Sequence, residues 1–139
     1  MARVDFYVLR EPGQAARTVF ACKLAEKAYR LDNTVHIHVD DASAMRELDE
    51  LLWTFRDGSF VPHHCIGDDA LDSPVTIGCD RGVTARQLLI NLSSELPDFA
   101  ADYERVAEVV SADDDSKQTS RERYGRYRDQ GHTLETHKL

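Results

Sequence analysis

The sequence predicts a single three-layer α/β/α domain built on a mostly parallel sheet of about five strands. Three observations favour this class. An apolar strand, an amphipathic helix and a β-branched strand follow one another between Val4 and Val39, an order typical of a βαβ unit. Further short apolar runs and helical patterns alternate along the rest of the chain. Apolar residues make up 42% of the chain and charged residues 30%, which is the balance of one folded domain.

The first half of the chain provides the βαβ unit and a second helix. We predict a strand over residues 4–9, ended by Pro12-Gly13, because this run is apolar throughout. Apolar residues at helical spacing then predict a helix over residues 16–31, and β-branched residues predict a strand over residues 35–39. Asp40-Asp41 caps a second helix, which we expect to end at Asp57-Gly58.

The second half is predicted to hold short strands and one long helix. Pro62 restricts residues 59–66 to a sheet edge or a surface loop, because proline lacks the amide donor that a central strand needs. Residues 74–78, 88–92 and 106–110 are predicted strands, although the pattern of residues 88–92 alone also fits a helix turn. The last of these strands precedes a helix over about residues 114–130. Gly131 ends this helix and leaves a short tail, residues 132–139.

Composition excludes several classes of protein. No apolar run reaches the roughly 20 residues of a membrane span, and the first residues lack the layout of a signal peptide, so we expect a cytoplasmic protein. The cysteines, Cys22, Cys65 and Cys79, form no CxxC pair, which argues against a disulfide framework or a zinc ribbon. Cys22 lies among apolar helix positions and is predicted to be a buried thiol.

Charge is unevenly distributed along the chain. The formal net charge of −8 argues against a protein that coats duplex DNA, which needs a basic face. Residues 117–138 nevertheless carry six Lys or Arg against three Asp or Glu, so this end is locally basic. It is therefore where an acidic partner would bind. Direct DNA binding by the same helix is an alternative that conflicts with the overall charge.

Catalytic and nucleotide-binding motifs are absent from the sequence. It contains no GxGxxG, no GxxxxGK[ST] and no GxSxG. The one candidate metal-binding cluster consists of His36, His38, His63 and His64. These histidines could in principle hold a transition metal in a small metal-dependent or nucleic-acid-processing enzyme. The spacing is generic, and ordinary packed or solvated histidines are the favoured interpretation, so no catalytic residue, metal or cofactor is predicted.

The predicted last helix carries a basic and aromatic stripe. Lys117, Arg121, Tyr124 and Arg128 are spaced so that all four lie on one helix face. Guanidinium groups pair with carboxylates in bidentate fashion, and the ring and alkyl stems supply contact area. The stripe therefore suits an acidic peptide with an apolar or aromatic anchor. A solvated helix face is the alternative, and it is the commoner explanation of a charge run taken alone.

A second patch combines aromatic residues with a proline. Trp53 lies near the end of the second helix, and Phe60 and Pro62 follow in the non-central segment. Taken alone, Trp53 is more often a core residue than an interface residue. Phe60 beside a surface proline is more typical of an anchor for a partner.

These two patches belong to a wider set of stretches that resembles the chi subunit family of bacterial DNA polymerase III. Order and spacing match from about residue 3 to 132. The matching stretches are Asp5-Phe6-Tyr7, Leu48-Asp49 with Leu52-Trp53, Ser59-Phe60-Val61-Pro62-His63, Pro74-Val75 with Ile77, Glu108-Val109-Val110, and Arg121-Glu122-Arg123-Tyr124 with Tyr127-Arg128 and Gly131. No single motif is diagnostic, but the combination is specific.

The resemblance implies a non-catalytic adaptor with a Rossmann-like fold and no nucleotide. Proteins of this family join the clamp loader through the psi subunit and bind the acidic C-terminal tail of the single-strand DNA-binding protein, which ends in phenylalanine. The residues that the resemblance assigns to the tail are Lys117, Arg121 and Tyr124 as main contacts, Arg128 on the same stripe, and Val110 lining an apolar pocket. Those that it assigns to psi are Trp53, Phe60, Val61 and Pro62.

Overall fold

The computed structural model of the protein describes residues 2–58, 60–66, 73–79 and 86–139, and this part of the chain contains one seven-stranded sheet. The strands are Arg3–Val8 (β1), Val35–His38 (β2), His63–Cys65 (β3), Val75–Gly78 (β4), Leu88–Asn91 (β5), Arg105–Val110 (β6) and Thr133–Lys138 (β7). The helices are Gln14–Arg30 (α1), Ala42–Thr54 (α2) and Asp114–Asp129 (α3), with a 3-10 turn at Ala100–Asp102. None of these described helices has the length and apolar character that a membrane span requires.

The strand order is β3-β4-β2-β5-β6-β1-β7, and every neighbouring pair is parallel. Core residues of α1 and α2 pack on one face of the sheet, and those of α3 pack on the other. The predicted α/β class with helices on both faces is therefore confirmed. The prediction of about five strands was too low, because two strands at the sheet edges lack the apolar pattern of an inner strand.

Strand β7 corrects the prediction that residues 132–139 form a short tail. It pairs with β1 from Arg3↔Thr133 to Val8↔Lys138. Its sequence, TLETHK, has only one aliphatic residue, and four of its six residues are exposed, as suits a strand at the sheet edge. A pattern search for apolar or alternating runs therefore misses it.

Several local predictions are confirmed. Pro62 immediately precedes β3, which lies at the opposite sheet edge from β7. The Asp41 carboxylate caps α2 by accepting a hydrogen bond from the Ala44 amide at 2.8 Å. Gly131 has a φ of 89°, in the left-handed region that glycine adopts without strain, and it follows the end of α3. Cys22 is fully buried, and burial raises the pKa of its thiol to about 12, which makes it unreactive.

Candidate functional site

A buried ionic network fixes α3 on the sheet. Glu108, on β6, is 2% exposed and accepts a hydrogen bond from Arg123 Nη1 at 2.6 Å. Its other carboxylate oxygen accepts hydrogen bonds from the Tyr127 hydroxyl at 2.7 Å and from Asn91 Nδ2 at 2.9 Å. Arg123 and Tyr127 lie four residues apart, on the same face of α3. This network therefore sets the rotation of the helix about its own axis.

The same network ties α3 to the loop after β5. Arg123 Nη2 donates to the Ser93 carbonyl oxygen at 2.9 Å. The Asn91 side-chain oxygen accepts from the Ser93 amide at 3.1 Å and from its hydroxyl at 2.6 Å. Since each of these buried groups has a partner, the network can stabilise one arrangement of helix and sheet.

The basic and aromatic stripe faces away from this network. At about 100° per residue, Lys117, Arg121, Tyr124 and Arg128 fall within about 60° of one another around α3. The three cations are exposed. Arg123 points about 120° away from Lys117 and faces inward. The structure therefore places all four predicted stripe residues on one exposed flank of α3.

Tyr124 connects this stripe to the apolar interior. Its side chain is 39% exposed, and its ring centroid lies 5.5 Å from that of the buried Phe6 on β1. Val110, at the end of β6, is 4% exposed and belongs to the same apolar cluster, with Val8 and Leu134 partly buried at its margin. An aromatic side chain of a partner would find apolar contacts next to the cations.

A crevice of about 400 Å³ opens at the carboxyl ends of β1 and β6, where the chain turns to α1 on one face and to α3 on the other. In parallel α/β folds such a switch point is the usual place for a nucleotide phosphate. Here the Asp113 carboxylate accepts a hydrogen bond from the Gly13 amide at 2.8 Å, at the start of α1. A phosphate bound there would face this carboxylate. The α3 residues Thr119 and Arg123 line the crevice from the other flank of α3 from the stripe. Val110, which the resemblance assigns to the tail, also lines this crevice.

The second predicted patch is only partly exposed. Trp53 is 49% exposed and Phe60 is 63% exposed, with ring centroids 5.5 Å apart. Pro62 is half-buried beside them. Val61 is fully buried in the core, so the expectation that it faces a partner is wrong for this residue. We define the aromatic patch as Trp53, Phe60 and Pro62.

The histidines do not form the metal site that the alternative function needs. In the sheet register, His64 and His36 both pair with Thr76, so they face the α3 side, whereas His63 faces the α2 side. The two ring nitrogens of His63 lie 2.6 Å from the Val61 carbonyl oxygen and 3.1 Å from that of Asp49. His38 faces the same side as His36, with ring centroids 6.4 Å apart. Among the described residues, however, these histidines do not bring three ligand atoms close enough to share a metal ion, so the metal-dependent enzyme loses this site.

One group of possible metal ligands does occur within the described residues. Ligand atoms of Asp5, Glu135 and His137 lie within 4.8 Å of one another. Asp5 is already paired with two guanidinium groups, those of Arg3 and Arg105, each at 3.2 Å. These cations supply the positive charge that a metal would otherwise bring, so the group is an ion-pair cluster around the buried Asp5 at the β1–β7 junction.

His36 should make stability depend on pH. Its ring is buried over Gly78, where a Cβ would come within 3.0 Å of His36 Cε1. Burial, together with the charges of His38 and Arg86, lowers its pKa from the usual 6.5 to about 3. As the pH falls from 6.5 to about 3, His36 takes up a proton in the unfolded chain but not in the folded chain, so the free energy of unfolding falls.

We therefore expect His36→Phe to flatten the loss of stability between about pH 7 and about pH 4. The measurement is the free energy of unfolding from urea titrations of wild type and variant at several pH values. Parallel curves for the two proteins would contradict this account of His36.

The network around Glu108 is the part of the site that the sequence did not reveal. Glu108, Arg123 and Tyr127 stand in the matching stretches, but their pairing depends on how α3 lies over β6. The sequence feature that could have indicated this network is the glutamate within the apolar strand Arg105–Val110. A buried carboxylate requires hydrogen-bond or ion-pair partners. An arginine and a tyrosine four residues apart on the following helix could have provided them.

Comparison with known proteins confirms the family resemblance found in the sequence. The family profile described as "DNA polymerase III chi subunit, HolC" matches residues 1–135. A protein of Pseudomonas aeruginosa named DNA polymerase III subunit chi is 41% identical over 140 residues, covering 100% of this chain and 98% of the relative. Proteins of the same name from Haemophilus influenzae and Escherichia coli are 35% and 34% identical, covering 95% and 98% of this chain and 94% and 97% of their own length. The chain therefore belongs to the DNA polymerase III chi subunit family.

Proposed function

We propose that this chi subunit is a cytoplasmic, non-catalytic adaptor that binds the acidic C-terminal tail of the single-strand DNA-binding protein. In this proposal the exposed stripe of α3 holds the tail, and the aromatic patch holds the psi subunit of the clamp loader. One observation carries the tail site: exposed cations on α3 flank a half-exposed tyrosine that packs against the apolar cluster. An acidic chain that ends in an aromatic residue needs both kinds of contact.

Electrostatics support this assignment. The chain as a whole carries a charge of −8, which repels an acidic peptide from most of the surface. Two of the acidic residues of α3, Asp115 and Glu122, project about 140° or more from Lys117 around the helix. Asp114 projects about 60° from Lys117, and Asp129 pairs with Arg128 at 3.5 Å, so the three cations of the stripe outnumber the two acidic residues beside it. The tail would therefore be guided to the stripe by attraction there and by repulsion elsewhere.

The aromatic patch supports a second, separate contact. Trp53 and Phe60 are large apolar side chains that remain exposed although their neighbours Leu52 and Val61 are fully buried, which is typical of interface anchors. Their position at the end of α2 and the start of the β3 segment differs from that of the α3 stripe. An adaptor requires two such surfaces, and psi is the partner that the family suggests for this one.

A pull-down with the purified chain tests the proposed function. We expect the full-length single-strand DNA-binding protein to be retained and a form that lacks its last residues to be lost, because the tail supplies the carboxylates and the aromatic anchor. In the same assay, a Trp53→Ala/Phe60→Ala variant should still retain the full-length protein but lose psi. Equal retention of the full-length and truncated proteins would refute the tail site.

A further inference from the structure

The outer edge of β7 presents backbone groups that the sheet does not use. The Thr133 amide donates to the Ala2 carbonyl oxygen and the Leu139 amide to that of Val8, each at 3.1 Å. In this parallel register, odd-numbered residues of β7 bond to β1. The amide and carbonyl groups of the even-numbered residues Leu134, Thr136 and Lys138 therefore point outward. Within the described residues no strand lies beyond β7.

This edge lies beside the stripe of α3. Tyr124 contacts Phe6 on β1, the strand next to β7, whereas Arg123 on the other flank contacts the loop after β5. The cations of the stripe are therefore on the flank of α3 nearest to β7. Leu134 extends the apolar cluster to this edge, where its side chain is half-buried.

The charges at the edge favour an acidic chain. On the α3 face of the sheet, β7 offers Leu134, Thr136 and Lys138, which include one cation and no carboxylate. Glu135 faces the other side, where its carboxylate is bound by Arg3 Nη2 at 2.7 Å. A peptide that runs along β7 on the α3 side would meet Lys138 and the stripe without facing an acidic side chain of the strand.

We propose that the acidic tail binds as an additional strand on the outer edge of β7, with its anchor and carboxylates on the stripe of α3. This inference rests on the proposed function, because it takes the tail as the ligand. Strand addition would supply main-chain hydrogen bonds that do not depend on the tail's exact sequence, while the stripe provides selectivity for negative charge and an aromatic end. The even-numbered amides of β7 are the donors that this arrangement requires.

Amide hydrogen exchange on the full chain, with and without the synthetic tail peptide, tests the added strand. We expect saturating peptide to slow exchange at Leu134, Thr136 and Lys138 by about tenfold or more. The amides of Glu135 and His137 already bond to β1 and should change little. A peptide N-methylated at alternate residues should bind about tenfold more weakly than the native peptide, because each lost hydrogen bond leaves a partner unsatisfied.

A pair of edge variants provides an independent check. Thr136→Pro removes only an outward amide, a substitution that edge strands tolerate, and it should weaken peptide binding about tenfold. Thr136→Val keeps the amide and should bind like wild type. If exchange at the three even-numbered amides and the affinity of the N-methylated peptide are both unchanged while Arg121→Ala still weakens binding, the added strand is wrong and the tail site stands. If the native peptide does not bind at all, both proposals fail.

Discussion

Replacing Arg123 with alanine is expected to lower the free energy of unfolding by about 3–5 kcal/mol, the usual cost of breaking a buried ion pair from one side. The change leaves the Glu108 carboxylate, which is 2% exposed, without its cation. It also removes the hydrogen bond that Arg123 donates to the Ser93 carbonyl. The measurement is urea-induced unfolding followed by circular dichroism.

Two further variants distinguish the effect of the buried network from the effect of any substitution in α3. Tyr127→Phe removes one hydrogen bond to Glu108 and should cost about 1 kcal/mol. Arg126→Ala changes an exposed arginine on the same helix and should leave stability within about 0.5 kcal/mol of wild type. Equal, small effects of Arg123→Ala and Arg126→Ala would show that the buried pair does not hold α3 in place.

Replacing Arg121 with alanine is expected to weaken binding of the tail peptide by about 1.5–3 kcal/mol, as for other charged hot-spot contacts. Arg121 is exposed, and its only described hydrogen bond, to Gln118 Oε1, is long at 3.4 Å, so its guanidinium is available to a carboxylate. For the same reason the substitution should leave the free energy of unfolding almost unchanged. Isothermal titration calorimetry with the synthetic peptide measures the affinity.

Arg126→Ala is the matched control for binding as well. Arg126 lies about 180° from Lys117 around α3, so its removal changes the same total charge without touching the stripe. Binding to wild type should also weaken with added salt, because the paired ions are partly exposed. If Arg121→Ala leaves the affinity unchanged, Arg121 is not part of the site. If Arg121→Ala and Arg126→Ala weaken binding equally, the peptide responds to the overall charge of the protein and not to the stripe.

The sequence predicted the inner part of the fold because the inner strands are buried on both faces. Val35–His38, Val75–Gly78 and Leu88–Asn91 are short apolar or β-branched runs, and each is a strand in the structure. Strand β7 could not be found in this way, since four of its six residues are exposed, two on each face of the sheet. Its place in the sheet follows from pairing with β1, which is a tertiary contact.

The candidate site shows the same division. Helical spacing alone put Lys117, Arg121, Tyr124 and Arg128 on one flank of α3, and the structure places them there. Whether that flank faces solvent depends on the pairing of Arg123 with Glu108 on β6. Residue spacing within the helix cannot predict this pairing. Val61 illustrates the opposite case, because adjacent residues of an extended segment alternate in direction and a patch drawn as a continuous run includes buried members.

The most direct test of the adaptor account is a map of the tail-binding site by backbone amide chemical shifts during titration with the tail peptide. We expect the largest changes at Lys117, Arg121 and Tyr124, and none at Trp53 or Phe60. Changes confined to the aromatic patch, or to the crevice around Thr119 on the other flank of α3, would contradict it.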